Sequence, residues 1–176
     1  MDKISRDNKG LSLVELIAAI AIMGILGMSV FFGMQLVAGH AGKEMAKTVE
    51  SLTQKSRTYC MGRREAKVEF NFDATSGWSA KETFTNVKSG TTDVETTEYT
   101  TTNIGEADVK VFDVSSGSET QLSAFSFEFN RSDGSLRNYN GSPATKNVVI
   151  EIRNGGKTYQ LKIERMTGKI NVDAIN

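Results

Sequence analysis

Histidine, cysteine and proline each occur once in these 176 residues, at His40, Cys60 and Pro143. A lone cysteine excludes an intrachain disulfide, so any folded domain must rest on its core. One histidine and one cysteine about 20 residues apart do not make a metal cluster, and no Cys/His group has zinc-ligand spacing. Neither an HExxH pair nor a phosphate-cradling Gly-rich Lys-Ser/Thr loop is present. No catalytic, cofactor-binding or metal site is therefore expected, and the chain does not read as an enzyme. Asp133 with Ser132 and Ser135 offers oxygen ligands to a cation, but a turn aspartate is the commoner role. Charge of either sign is also not in excess. Lys and Arg total 21 against 21 Asp and Glu, which fits neither a strongly basic nucleic-acid binder nor an acidic disordered chain.

Against these absences stands one long apolar run, from Leu16 to about Val37. At about 1.5 Å per residue its roughly 22 residues make a helix of about 33 Å, enough for a hydrocarbon core of about 30 Å. Glu15, just before the run, is the sole formal charge between Gly10 and His40. A charged side chain within a membrane helix costs roughly 2.5–3.5 kcal/mol near the centre, less toward an interface, and such residues are usually functional. Basic leader side chains (Lys3, Arg6, Lys9) place the N-terminus in the cytoplasm and the bulk of the chain beyond the membrane. Gly24, Gly27, Gly33 and Gly39 are spaced along the helix, where they either let helices approach closely or reflect the frequency of glycine in membrane spans.

The order of these features resembles a known family. A short charged leader ends in Lys9-Gly10, and Leu11-Ser12-Leu13-Val14-Glu15-Leu16-Ile17 follows. This is similar to the class III signal of type IV pilins and of the pseudopilins of type II secretion. The resemblance implies that a prepilin peptidase cuts between Gly10 and Leu11 and methylates the new N-terminus at Leu11. It also makes Glu15 the assembly glutamate, five residues after the glycine. Loss of the leader would move the formal charge from zero to about minus one. A secretory signal would place its cleavage site after an apolar region of about 7–15 residues, and a plain signal anchor would not need the acid. Many relatives clamp the C-terminal region with a cysteine pair, which this chain cannot form. Relatives often carry a helix-kinking proline where Phe32 stands here, so a bend would have to come from Gly33.

From His40 to about Met61 the helix is expected to continue into water. Met45, Val49, Leu52, Ser56 and Tyr59 recur at three and four residues and give one apolar stripe, with Lys43, Glu44, Lys47, Glu50, Lys55 and Arg57 on the other faces. Cys60 reads as a small apolar residue on a helix face, His40 as a polar residue at the membrane exit, and Gly62 as the helix stop. Arg63, Arg64 and Lys67, tempered by Glu65, read as a solvated face.

Beyond Glu65 the apolar period falls to two. Val68, Phe70 and Phe72 predict a strand, Asp73–Gly77 a turn, and Trp78, Ala80 and Phe84 a second strand hairpinned to the first, with Trp78 in the core. Residues 88–106 are threonine-rich and cannot bury a core. They read as an exposed excursion with room for an edge hairpin, open to partner contact or to plain solvation. Further strands are expected at Val109–Val114, at Phe125–Phe129, at Val148–Ile152 and, after the Asn154-Gly155-Gly156 turn, at Tyr159–Ile163. Thr167-Gly168 turns the chain into a last strand at Ile170 and Val172. Residues 139–146 read as a loop around Pro143. The run from Phe125 through Asp133-Gly134 and on to Thr167-Gly168-Lys169-Ile170 is similar to the β-domain of GspH/FimT-type minor pseudopilins.

The resulting expectation is an α+β chain. It comprises a cleaved leader (1–10), a transmembrane and assembly helix (11–39), its amphipathic continuation (40–62) and a β-rich pilin domain (63–176). A long N-terminal helix packs on a C-terminal antiparallel sheet. The resemblance implies a structural subunit, a minor pilin or pseudopilin, held in the inner cell membrane before it enters a filament. Its partners would be other pilin subunits, prepilin peptidase, the assembly platform protein and, before assembly, lipid. A DNA-binding pilin of a competence system is the alternative, weakened because the tail after Gly168 sets only Lys169 against Asp173. An unprocessed membrane-anchored binding domain is the other.

Overall fold

In a computed structural model of the chain, structure is described for residues 13–37, 39–61, 64–87 and 94–175, and side chains for the same ranges except 27–37, 64 and 87. The chain divides into two compact units between Val37 and Ala38. The first is a single helix, α1 (Leu13–Val37). The second opens with α2 (His40–Met61) and continues as an all-antiparallel β domain.

The helical region is thus two helices rather than the one continuous helix expected from sequence. The reason is local. Gly39 takes φ +87, the left-handed region that favours glycine, and such a residue ends a helical run. Its N–H donates to Asn154 Oδ1 at 3.0 Å, and its carbonyl accepts from Lys43 N–H at 3.2 Å and from the Tyr159 hydroxyl at 3.3 Å. The expected stop at Gly62 lies outside the described residues.

The strands are β1 (Arg64–Asp73), β2 (Gly77–Val87), β3 (Val94–Gly105), β4 (Lys110–Asp113), β5 (Thr120–Leu122), β6 (Ala124–Phe129), β7 (Leu136–Tyr139), β8 (Ser142–Pro143), β9 (Val148–Asn154), β10 (Lys157–Ile163) and β11 (Ile170–Ile175). They form two sheets, ordered β3-β2-β1-β6-β7-β8 and β11-β10-β9-β4-β5. The sequence reading expects an antiparallel β domain, which the structure has; the pairing of β6 with β1 and of β4 with β9 divides its strands between two sheets. Hairpins join the strands the turn residues predicted: β1 pairs with β2 across residues 74–76, and β9 with β10 across Gly155-Gly156.

One core serves both sheets. Val68, Phe70, Trp78, Phe125 and Phe127 from the first and Val111, Ile150, Ile152 and Leu161 from the second are nearly or fully buried. Phe70 and Phe125 face each other in the β1–β6 register and stack at 4.6 Å, and Trp78 tilts against Phe125 at 5.7 Å. Full burial of one such side chain stabilises by about 1.5–3 kcal/mol. The indole N–H of Trp78 donates to Val109 O at 2.9 Å, so its one polar atom is also satisfied.

α2 lies against strands of both sheets. Its buried face is Gly42, Met45, Ala46, Val49, Thr53, Ser56 and Cys60. Tyr59, expected on that face, is 41% exposed, and Leu52 is half-buried. Thr53 and Cys60 take the inner positions because small side chains let the helix sit close. Thr53 hides its hydroxyl by donating to Val49 O at 2.6 Å. The threonine-rich excursion is an edge strand: β3 is exposed from Val94 to Asn103 apart from a half-buried Thr97, and residues 88–93 lie outside the described residues. Around Pro143 the expected loop is a short β7–β8 hairpin.

Arg57 fastens the far end of α2. Its Nε–H reaches Gly134 O at 3.2 Å and Thr167 O at 3.1 Å. The two turns touch there. A Cβ on Gly168, at φ +64, would collide with the Gly134 carbonyl oxygen, and both partners are backbone. Gly168→Ala should therefore cost about 3 kcal/mol or more, read as a fall of about 10 °C in the Tm of the β domain. Between the sheets, the Tyr139 hydroxyl of β7 donates to Asp113 Oδ2 of β4 at 2.9 Å. Burial, then the Asp113 charge, holds the Tyr139 phenol far above its ordinary value of 10.0. A group with a raised folded pKa contributes fully below its unfolded value and loses that contribution only as pH rises through the folded one. Tyr139→Phe should cost about 1 kcal/mol at neutral pH. In the wild type an alkaline absorbance titration should show Tyr139 ionising only with unfolding.

Candidate functional site

α1 carries the residue on which the sequence places assembly. Glu15 lies in the first turn of the helix, where the partial positive charge of the helix N-terminus favours an acid. From Leu13 to Leu26 every large apolar side chain is more than half exposed, so α1 is apolar on all its described faces. A helix of that kind is coated by other apolar surface, either lipid or neighbouring helices. Among the described residues no helix is long and apolar enough to cross a membrane. Gly10 and Leu11, the expected processing and methylation positions, lie outside the described residues.

The other candidates separate. His40 and Cys60 sit at opposite ends of α2. His40 Nδ1 lies 3.4 Å from Glu44 Oε1 on an exposed face. Cys60 is fully buried, and its thiol points at Phe129 O, 3.0 Å away. Burial is the main cause that raises the Cys60 pKa above its ordinary value, so the thiolate is disfavoured. Asp133 is a turn residue: its Oδ1 accepts from Ser135 N–H at 2.9 Å, and that bond holds its carboxyl below the ordinary range. Among the described residues no His, Cys, Asp and Glu cluster could hold a metal. Of the basic cluster, Lys67 pairs with Glu69 at 2.7 Å, while Arg63 and the side chain of Arg64 lie outside the described residues.

One constellation has no counterpart in the sequence reading. Lys55 of α2 donates to Glu82 of β2 at 2.7 Å, and Glu82 is 2% exposed. The signal was present in the period-two pattern. Trp78, Ala80 and Phe84 point inward, and Glu82 occupies the same phase.

The described residues thus comprise an apolar N-terminal helix bearing one acid and a two-sheet β domain. Residues 5–31 match the family model of the prokaryotic N-terminal methylation motif, which supports a likeness to type IV pilins and pseudopilins. The match ends at residue 31 and does not reach the β domain. No curated protein and no solved structure shows significant similarity to the chain.

The buried thiol gives a direct check on the packing of α2. With Cys60 inaccessible and its thiolate disfavoured, alkylation of the native protein should be slower than that of the denatured chain by more than about 100-fold, since it waits for local opening. Mass spectrometry after a timed pulse of iodoacetamide measures the ratio.

Proposed function

We propose that the chain is a structural subunit, a minor pilin or pseudopilin, of a type IV pilus or a type II secretion-like filament. The observation that carries the reading is Glu15 in the first turn of an all-round apolar helix, within the matched methylation motif. In this reading prepilin peptidase cuts after Gly10 and methylates Leu11. The protein waits in the inner membrane as a single-pass anchor with its β domain beyond the membrane. The assembly platform protein and other subunits then draw it into the filament.

Glu15 supplies the direction of that step. A carboxylate in hydrocarbon is poorly solvated, and its attraction to a cation is weakly screened there. The amino terminus at Leu11, methylated or not, is cationic near neutral pH. Pairing of Glu15 in an incoming subunit with the Leu11 terminus of a neighbour would relieve both charges and set the axial register. The apolar helices would then exchange lipid for one another, where packing and small residues such as Gly24 govern the approach.

Two measurements test this. The intact mass and N-terminal sequence of protein from membranes should show a chain beginning at methylated Leu11 when the peptidase is active, and at Met1 when it is absent. Glu15→Ala should lower incorporation into sheared filaments about tenfold or more, the scale of about 1.4 kcal/mol, with the Tm of the β domain unchanged. A chain that keeps Met1 in peptidase-positive cells, or a Glu15→Ala variant that assembles normally, would overturn the reading.

A further inference from the structure

Three elements of the β domain meet at a pocket that neither the core nor the N-terminal motif explains. Lys55 and Tyr59 stand one turn apart on α2. Glu82 of β2 is directly opposite Tyr99 of β3, and Phe84 is opposite Thr97. Lys55, Tyr59, Phe84, Thr97 and Tyr99 line a cavity of about 270 Å³. The Lys55 ammonium stands 6.0, 5.8 and 5.5 Å from the ring centroids of Tyr59, Phe84 and Tyr99. Behind it, Glu82 Oε2 accepts a hydrogen bond from the Lys55 ammonium at 2.7 Å, and Glu82 Oε1 has no hydrogen-bond partner among the described residues.

A brace between α2 and β2 would need only the Lys55–Glu82 pair and Phe84. It would not need Tyr99, which leaves 53% of its surface in water while tilting against Phe84 at 5.9 Å. Two half-exposed tyrosines flank the opening instead. Their faces are apolar and their hydroxyls polar, which suits a ligand with both characters.

The charges select among ligands. Lys55 and Glu82 cancel, so a neutral molecule is favoured. A carboxylate or phosphate drawn to Lys55 would be opposed by the Glu82 charge behind it, and a bare cation drawn to the rings would be opposed by Lys55. Lys55 spends one N–H on Glu82, which leaves its other donors for a ligand oxygen, and the Thr97 hydroxyl adds a further polar contact. The cavity is small beside the roughly 300–1,000 Å³ of drug-sized sites, so one ring fits rather than a chain. A sugar ring in its chair form combines an apolar C–H face with a rim of hydroxyls. We propose that this pocket binds one neutral pyranose ring, packed on Tyr99 and Tyr59 and hydrogen-bonded by Lys55.

The test uses the full chain in phosphatidylethanolamine/phosphatidylglycerol nanodiscs, which carry no sugar or choline. Methyl β-glucoside, methyl β-galactoside and methyl N-acetyl-β-glucosaminide serve as probes at about 10 mM, enough to populate a millimolar site. Saturation-transfer NMR with irradiation of the aromatic protons should pass magnetisation to ring C–H groups of at least one probe. Tyr99→Ala should cut that transfer about fivefold, the scale of one lost ring contact, while the remote Lys162→Ala leaves it unchanged. Thr97→Val replaces Tyr99→Ala if the latter fails to fold. Methyl glucuronide should bind more weakly than the neutral glucoside. Absence of transfer from every probe, transfer indifferent to the pocket variants, or tighter binding of tetramethylammonium than of any sugar would overturn the proposal. None of these outcomes bears on processing at Gly10 or on assembly through Glu15.

Discussion

The small-residue face of α2 sets the spacing of everything packed against it. Gly42, Ala46, Thr53, Ser56 and Cys60 carry little bulk, and all are buried, so the helix axis can come close to both sheets at once. Where one large side chain does project, the partner gives way. A Cβ on Gly105 of β3 would stand 2.6 Å from Met45 Sδ, so glycine there makes room for the methionine. A larger residue at any inner α2 position would push on two layers together, because interiors pack at near-crystal density with little slack. Phe84 and Ala66 beneath the C-terminal half of the helix, and Tyr159 near its start, depend on that one distance.

The same geometry explains how the domain does without a disulfide. A cysteine pair would tether two distant segments by covalent geometry. Here tethering is distributed over directional polar contacts at the rims of a shared apolar core. Arg57 links α2 to two turns, Tyr139 links β7 to β4, and Trp78 reaches across to the carbonyl of Val109. Arg153 extends the pattern at the surface, holding both oxygens of Glu119 at 2.8 Å and lying over the Phe112 ring at 4.4 Å. The buried contacts of Tyr139 and Trp78 are each worth about 1 kcal/mol net, and all of these contacts close long stretches of chain.

Much of this was legible in the sequence wherever a residue's role depends on its neighbours in the chain. Alternation at Val68–Phe72 and Phe125–Phe129, and the Asn154-Gly155-Gly156 turn, placed strands and hairpins correctly. What depends on contacts distant in sequence was not legible. Nothing in the local pattern says that β6 returns to β1 while β4 crosses to β9, so the division into two sheets was not legible. The expected α2 stripe took in Leu52 and Tyr59, whereas Thr53 and Cys60 hold the inner face. β5 and β7 are three and four residues long, too short for a period to register. At the candidate site, Glu15 was marked by its isolation in an apolar run, whereas Glu82 was hidden among the other acids until the inward phase of β2 singled it out.

Gly39, just before α2, is held by the β domain. Gly39 is gripped on both polar atoms: its N–H by Asn154, its carbonyl by Tyr159. Asn154 is itself fixed by donating to Asp108 Oδ2 at 2.7 Å. The grip therefore belongs to the β9–β10 hairpin, whose strands lie inside the five-stranded sheet rather than at its edge. A left-handed glycine held by a central hairpin delivers force into strands paired on both sides. Such strands resist peeling better than an edge like β3, where hydrogen bonds to one neighbour open in turn. The left-handed glycine and its hydrogen-bonding asparagine are thus placed against interior strands of the sheet.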